Sequence, residues 1–247
     1  MAILNKKRAL ITGGSAGIGA EVARSLAQRG ARVAINYSSN RSRAEETLKT
    51  LTGEGHFLVE GNAFDREDIS RVVTEALGKL GGLDIVISNA GWTTFGQFKD
   101  IRAVNDDGWI QCYSSNVLSH LWLMQACQEE LRKQKGSFIV SSSVAGLRPS
   151  GSSMAYSVSK SATIHLVKSL ALACAPDIRV NTVAAGVMLT EWSKGFTEEQ
   201  IAEVKRVNAL GQVTSVEDVA GVYVMLAENT SMTGQCIEVS SGFQLGT

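Results

Sequence analysis

The sequence predicts an α/β protein: a single doubly wound domain in which seven parallel strands form one sheet with helices on both faces. Three observations point there. Apolar runs of strand length alternate with helical periodicities along the chain. Those runs are apolar at nearly every position, as in parallel strands buried on both sides. The first run ends in a cluster of glycines that leads straight into a helix pattern. No internal repeat, Pro/Gly/Ser linker or charge block divides the 247 residues, so 1–247 reads as one domain.

Arg8–Thr12 is the first strand, and Ile18, Val22 and Leu26 then mark a helix face. Arg32–Tyr37 is the second strand, with a charged helix from Arg41, and His56–Glu60 is the third. Asp65 suits the N-cap of a helix whose Ile69, Val72, Val73, Ala76, Leu77 and Leu80 share one side. Leu83–Ser88 and Ser137–Ser141 are the fourth and fifth strands, with one long helix over about 106–133 between them. A helix over 154–175 leads to strands at Ile178–Val183 and Cys236–Val239. Thr197 and Gln200 have capping-box spacing, and Ser215 with Asp218 is a looser acidic variant. They open two short helices, the second carrying Val219, Val222, Tyr223 and Leu226 on one face.

Composition narrows the function. A 44% hydrophobic and 19% charged chain is not disordered. Lys+Arg and Asp+Glu balance at 24 each, which argues against a general nucleic-acid or basic membrane-surface binder. Cys112, Cys127, Cys174 and Cys236 are scattered, as are His56, His120 and His165, so no metal site of local spacing is expected. Buried reduced thiols are the simple reading. The opening MAILNKKRAL shows no signal-peptide pattern, and no apolar run reaches membrane-spanning length. A soluble cytoplasmic protein is expected.

Thr12-Gly13-Gly14-Ser15-Ala16-Gly17-Ile18-Gly19 joins the first strand to the first helix. Glycines there let the backbone turn sharply and approach a pyrophosphate, and the helix start offers free N–H groups. Glycines also end strands for purely steric reasons, so the turn alone is weak evidence. Further on, Asn89-Ala90-Gly91 follows the fourth strand and Asn116 lies in the long helix. Ser143 follows the fifth strand, with Tyr156 thirteen residues later and Lys160 four beyond that. Alone, each has a bland account: a surface pair, a strand-end turn, a polar helix residue. In this order and spacing they resemble the short-chain dehydrogenase/reductase family, over Arg8–Gly242.

That resemblance implies a Rossmann-type fold and hydride transfer between NAD(P) and a carbonyl or alcohol. It implies Tyr156 as proton donor, Ser143 as hydrogen-bond donor to the substrate oxygen, Lys160 on the nicotinamide ribose, and Asn116 holding a water in the relay. Tyr156 and Lys160 share a helix face. A phenol has a pKa near 10, and a neighbouring ammonium is expected to lower it toward the working pH. Cofactor contacts are implied at Gly13, Ser15, Gly17, Ile18, Gly19, Asn62, Ala63, Asn89, Ala90, Gly91, Tyr156, Lys160, Gly186, Met188 and Thr190. Relatives are mostly dimers or tetramers built on helices corresponding to 117–131 and 155–172, so a homodimer or homotetramer is implied.

The second strand ends Asn36-Tyr37-Ser38-Ser39-Asn40-Arg41 without the carboxylate that marks NAD specificity. Tyr37, Ser38, Ser39, Asn40 and Arg41, with Arg43 near, suit a 2′-phosphate, so NADP(H) is favoured over NAD(H). They could also simply start a solvated helix. Asn62 replaces a common Asp near the adenine. Ser88-Asn89, Asn36-Tyr37 and Phe95-Gly96 are similar to fungal polyhydroxynaphthalene reductases, which use NADPH. Two departures stand out. Ala185-Gly186 replaces the family's Pro-Gly and should loosen that turn, and Ser240-Ser241-Gly242 replaces Asp-Gly-Gly.

Trp92, Phe95, Leu147, Met154, Met188, Trp192 and Phe196 fall on the loops that would surround a substrate, the main one at about 187–210. They suit a bulky hydrophobic ketone of polyketide or aromatic origin, or else pack loops and a subunit contact. Arg148 and Lys194 could meet an acidic substrate group or simply be solvated. An NADPH-dependent ketone reductase is the first expectation. A non-redox NADP-binding protein, or a cyclisation or redox-neutral role on the same fold, is the alternative.

Overall fold

A computed structural model describes residues 4–194 and 196–245. Met1–Ile3, which open the N-terminal stretch, and Gly195 of the expected substrate loop lie outside them, as do Gly246 and Thr247. Seven strands form one parallel sheet: β1 (Arg8–Ile11), β2 (Arg32–Tyr37), β3 (Phe57–Glu60), β4 (Ile85–Ser88), β5 (Ser137–Ser143), β6 (Arg179–Ala185) and β7 (Cys236–Val239). Their spatial order is β3-β2-β1-β4-β5-β6-β7. The order reverses between β1 and β4, and the crevice at the carboxyl ends of such strands is where α/β sheets bind ligands.

Helices cover both faces: α1 (Gly17–Gln28), α2 (Arg41–Lys49), α3 (Arg66–Leu80), α4 (Asp106–Tyr113), α5 (Ser119–Gln134), α6 (Met154–Cys174), α7 (Glu198–Val207) and α8 (Val216–Glu228). Alternation along each strand divides the core. Ala9, Ile11, Ile85, Ile87 and Ile139 pack with Val22, Leu26 and Tyr223 beneath α1 and α8. Leu10, Val86, Phe138 and Val140 pack with residues of α3, α5 and α6 on the other face. This accounts for strands apolar at every position.

Local signals fix the ends. Asp65 caps α3 by accepting from Glu67 and Asp68 N–H at 3.0 and 2.9 Å, and α3 stops at Gly81 in the left-handed region. Asp84 takes Lys7 Nζ at 2.9 Å and Arg8 Nε at 2.7 Å, which ties the approach to β4 to the start of β1. Thr197 and Gln200 form the expected capping box, whereas Ser215 caps α8 one-sidedly, accepting from Asp218 N.

Several boundaries differ from expectation, β1, β3 and the start of β6 by one residue each. β4 begins at Ile85 rather than Leu83. β5 and β6 run on to Ser143 and Ala185 because they pair with each other in register, Ser137↔Arg179 through Ser143↔Ala185. Serines give no local strand signal, so tertiary pairing decides. The helix expected over 106–133 is interrupted by a π turn at Ser114–Leu118 that contains Asn116. No helix among the described residues is long and apolar enough to cross a membrane.

Candidate active site

The glycine turn leaves β1 beside the end of β4. Gly19 is there because nothing larger fits: a Cβ would stand 2.4 Å from Gly13 O and 2.6 Å from Asn89 Nδ2. Asn89 fastens the turn from the neighbouring strand, donating to Thr12 O at 3.1 Å and Gly13 O at 3.2 Å. Thr12 Oγ1 accepts from Asn89 N and Ala90 N at 3.0 and 3.2 Å. Ser15 is buried, with its carbonyl accepting from Thr47 Oγ1 at 3.2 Å, and Ile18 packs on the core under α1. The N-cap of α1, Ala16, supplies no side-chain hydrogen bond, whereas side chains cap α2, α3, α4, α6, α7 and α8. The N–H groups at the start of α1 are left for an anion.

Lys160, Tyr156, Ser143, Asn116 and Gly91 meet next to this turn. Lys160 is buried, 3% exposed, and donates from Nζ to Ser141 O at 2.9 Å. Its Nζ lies 5.7 Å from the Tyr156 ring centre. The Tyr156 hydroxyl faces Ser143, whose Oγ accepts from Ala145 N at 3.2 Å. Gly91 leaves room among them: a Cβ there would stand 3.2 Å from Asn116 Oδ1 and 3.5 Å from Lys160 Nζ.

The π turn sets Asn116. Its amide spans the backbone of Trp92, with Oδ1 accepting from Trp92 N and Nδ2 donating to Trp92 O, both at 2.9 Å. Nδ2 also reaches Ser159 Oγ at 3.0 Å. Thr163 Oγ1 donates to the Asn116 carbonyl at 2.6 Å and occupies one of its two lone pairs. Thr12, Ser159 and Thr163 were not singled out by sequence. Their hydroxyls lie in no motif, and only Thr12, abutting the glycines, carried a positional hint. His120, one turn beyond Asn116, sits 2.6 Å from Ser88 Oγ, and burial pushes it down to about 3, so it is neutral at pH 7.

The electrostatics correct one expectation. Burial pushes Tyr156 up to about 12, against a smaller opposite effect of the Ser143 hydrogen bond. Burial pushes Lys160 down to about 8. The downward shift of the phenol expected from the i, i+4 lysine is absent, because desolvation is the largest effect on the hydroxyl.

At the end of β2, register brings in a carboxylate from the adjacent strand. Tyr37 pairs with Glu60, and its hydroxyl lies 2.9 Å from Glu60 Oε2. Ser38, Ser39 and Asn40 are exposed, and Asn40 caps α2 through Arg43 N. Arg41 pairs with Glu45 at 2.9 Å in an exposed contact. Arg43 Nε is enclosed without a hydrogen-bond partner. Asn62 accepts from Phe64 N at 3.0 Å, next to half-buried Ala63.

On the far side, Gly186 N donates to Val239 O at 2.9 Å, and a Cβ on Gly186 would stand 2.8 Å from Ser240 Cα. The Ala185-Gly186 turn is packed closely on Ser240. Met188 packs on the core under α1 and α8, and Thr190 lies over Gly17, 3.6 Å from a Cβ built there. Trp192 stands against Tyr156, ring centres 6.2 Å apart and planes tilted by 56°. Met154 turns into a cleft with Gly96, Val104 and Trp109. Leu147 and Phe95 are exposed, and Phe196 and Trp92 are half-buried. Arg148 is not free for an acidic substrate group, whereas Lys194 sits in an exposed contact. Arg148 makes two bonds to Glu238, at 2.9 and 3.1 Å, and Lys194 pairs with Glu191 at 2.6 Å. Of the cysteines, Cys112, Cys127 and Cys174 are buried and Cys236 is half-buried, all as free thiols.

Comparison with known proteins agrees with this geometry. The family model described as enoyl-(acyl carrier protein) reductase matches residues 13–244. Human dehydrogenase/reductase SDR family member 4 is 36% identical over 253 residues, covering 97% of this chain and 88% of that one. Versicolorin reductase stcU of Emericella nidulans is 31% identical over 256 residues, covering 97% and 96%. The crystal structure of NADPH-dependent 3-quinuclidinone reductase from Rhodotorula rubra superposes with a TM-score of 0.88 at 26% identity, covering 99% and 95%. The chain belongs to the short-chain dehydrogenase/reductase family of oxidoreductases, which bind a nicotinamide cofactor.

Proposed function

We propose that the protein reduces a ketone on a hydrophobic, polyketide- or aromatic-derived metabolite to a secondary alcohol, reversibly, with NADPH. The observation that carries this is the meeting of Tyr156, Ser143 and Lys160 around the space kept by Gly91, beside an uncapped helix start. That space and the glycine turn fit a nicotinamide dinucleotide. Gly13, Ser15, Gly17, Ile18 and Gly19 would take the pyrophosphate, and Asn89, Ala90, Gly91, Tyr156 and Lys160 the nicotinamide ribose. Gly186, Met188 and Thr190 would flank the nicotinamide. The bound cofactor supplies hydride to the carbonyl carbon.

The chain's own residues handle the oxygen. Tyr156 donates its proton as negative charge builds there, and a phenol held near 12 is fully protonated at neutral pH. Ser143 donates a hydrogen bond to the same oxygen, which stabilises the developing charge. Lys160 returns a proton to Tyr156, and Asn116 fixes the Trp92 backbone beside it. Trp92, Leu147, Met154, Trp192 and Phe196, with the loop at about 187–210, would enclose the substrate. Support for a ketone of this class comes from the likeness to versicolorin reductase.

NADPH is favoured by the unpartnered Arg43 Nε, by the exchangeable Arg41–Glu45 contact, and by the likeness to the NADPH-dependent 3-quinuclidinone reductase. Tyr37, Ser38, Ser39 and Asn40 line that end, and Asn62 and Ala63 the adenine. A homodimer or homotetramer is proposed on α4, α5 and α6, where Ile110, Tyr113, Val158 and Leu172 are exposed apolar residues. The test is NADPH oxidation over a panel of bulky ketones, with wild type and Tyr156→Phe. Turnover by wild type, lost in the variant while NADPH still binds, is expected. Tight NADPH binding with no oxidation on any ketone would overturn the reading in favour of a non-redox role.

A further inference from the structure

Tyr223 heads the largest fully buried side chains among the described residues. It projects from α8 into the core layer under α1 and α8, whereas Lys160 reaches the sheet from α6 on the opposite face. Its hydroxyl is 2.6 Å from Ser141 Oγ, and Ser141 Oγ is 3.0 Å from Asn89 Oδ1. The direction of these bonds is determined. The carbonyls of Thr12 and Gly13 can only accept, so Asn89 turns its Nδ2 to them and its Oδ1 to Ser141. An amide oxygen also only accepts, so Ser141 spends its single proton on Asn89. Tyr223 must then donate to Ser141. The chain therefore runs Tyr223 to Ser141 to Asn89 to the two carbonyls of the glycine turn. The main-chain carbonyl of the same Ser141 receives Lys160 Nζ at 2.9 Å.

Two hydroxyls in a layer otherwise built of Ile11, Ile87, Ile139 and Val183 each lose hydration on burial, and only each other and Asn89 repay it. We propose that Tyr223 and Ser141 are positioning residues: they hold Asn89, and through it the glycine turn, in the arrangement that takes the cofactor. The inference rests on the reading of that turn as the dinucleotide site.

Tyr223→Phe removes the hydroxyl and keeps the ring. Without its donor, Ser141 Oγ loses the bond that fixes its hydroxyl on Asn89. Fluorescence titration should show the NADPH Kd rising about three- to tenfold, the effect of one net hydrogen bond, while kcat at saturating cofactor is retained. Ser141→Ala keeps the carbonyl that meets Lys160 and should raise the Kd at least as much. The double variant should be no worse than Ser141→Ala alone, because both act through one chain. A purely structural role predicts a lower Tm with unchanged Kd, and that result overturns the proposal. Hydrogen–deuterium exchange gives a readout that needs no cofactor. Peptides covering 12–19 and 89–91 should exchange faster in both variants, and unchanged exchange there also overturns it. Faster exchange in a protein whose wild type binds neither NADPH nor NADH would uphold the brace and defeat the proposed function alone.

Discussion

Replacing Lys160 by methionine should stabilise the protein at pH 7 while ending its turnover. Burial holds the Lys160 amine down to about 8, against 10.5 for a free lysine. Each whole step in pKa is about 1.4 kcal/mol, so keeping the cation in the folded chain costs about 3 kcal/mol. The unfolded chain binds that proton more tightly. The cost is therefore complete below pH 8, is relieved as pH rises from about 8 to 10.5, and is gone above. Methionine removes it with a side chain of similar length. It also removes the 2.9 Å bond to Ser141 O, a loss of about 1–2 kcal/mol. The variant should thus be about 1–2 kcal/mol more stable than wild type at pH 7. That advantage should shrink by about 2 kcal/mol on going to about pH 9.5. Urea unfolding of both proteins at the two pH values measures it, and comparing the pair cancels the other groups that titrate in the window. A difference that does not change with pH, or a wild type more stable at pH 7, would refute the reasoning.

Three further outcomes are expected. Arg43→Ala should weaken NADPH by about tenfold and leave NADH nearly unchanged, since a charge-assisted contact to a 2′-phosphate is lost; titration with both cofactors checks it. Gly19→Ala puts a methyl 2.4 Å from Gly13 O, so NADPH binding should collapse in calorimetry while the circular dichroism spectrum persists. In Asp84, burial raises the carboxyl but hydrogen bonds from Arg8 and Lys7 more than compensate, and its pKa lies below the usual 3.8. Its contribution is present at neutral pH and lost as pH falls through that lowered value. Asp84→Asn should therefore cost about 2–3 kcal/mol at pH 7, and its unfolding midpoint should converge on that of wild type in acid.

Most of the fold was legible because its signals are local. The 3.6-residue stripe of α3, the Asp65 cap and the glycines after β1 each declare themselves within a few residues. What escaped is decided by contacts distant in sequence. Ser142 and Ser143 become strand only through Ala184 and Ala185. Asn116 sits in a π turn because Trp92 and Thr163 take its amide and its carbonyl, and no periodicity in 106–133 records that. Four of the site residues were readable as an ordered motif. The acidic neighbour of Tyr37 was not, because Glu60 arrives by strand pairing rather than by adjacency. The partner of Arg148 was hidden for the same reason, since Glu238 lies ninety positions away, whereas Lys194 is exposed as a solvated lysine would be.

The pKa values bear on why the lysine is tolerated at all. A buried cation is ordinarily paired with a carboxylate, and where the pair serves stability alone, apolar residues of similar volume do as well or better. The hydrogen bond recorded for Lys160 goes to a carbonyl, which returns only part of the desolvation cost. A group held at about 8 gains or loses its proton readily near neutral pH. A phenol held near 12 keeps its own until charge appears beside it. On the proposed mechanism these two displacements divide the work: Tyr156 stays loaded as an acid, and Lys160 replenishes it at little cost. Reduction should then slow above about pH 8, as Lys160 loses its proton, whereas a site dependent on a preformed phenolate would speed up. A rate profile for ketone reduction that rises through pH 8 to 9 would reverse this assignment and restore a lysine-stabilised phenolate as the working form.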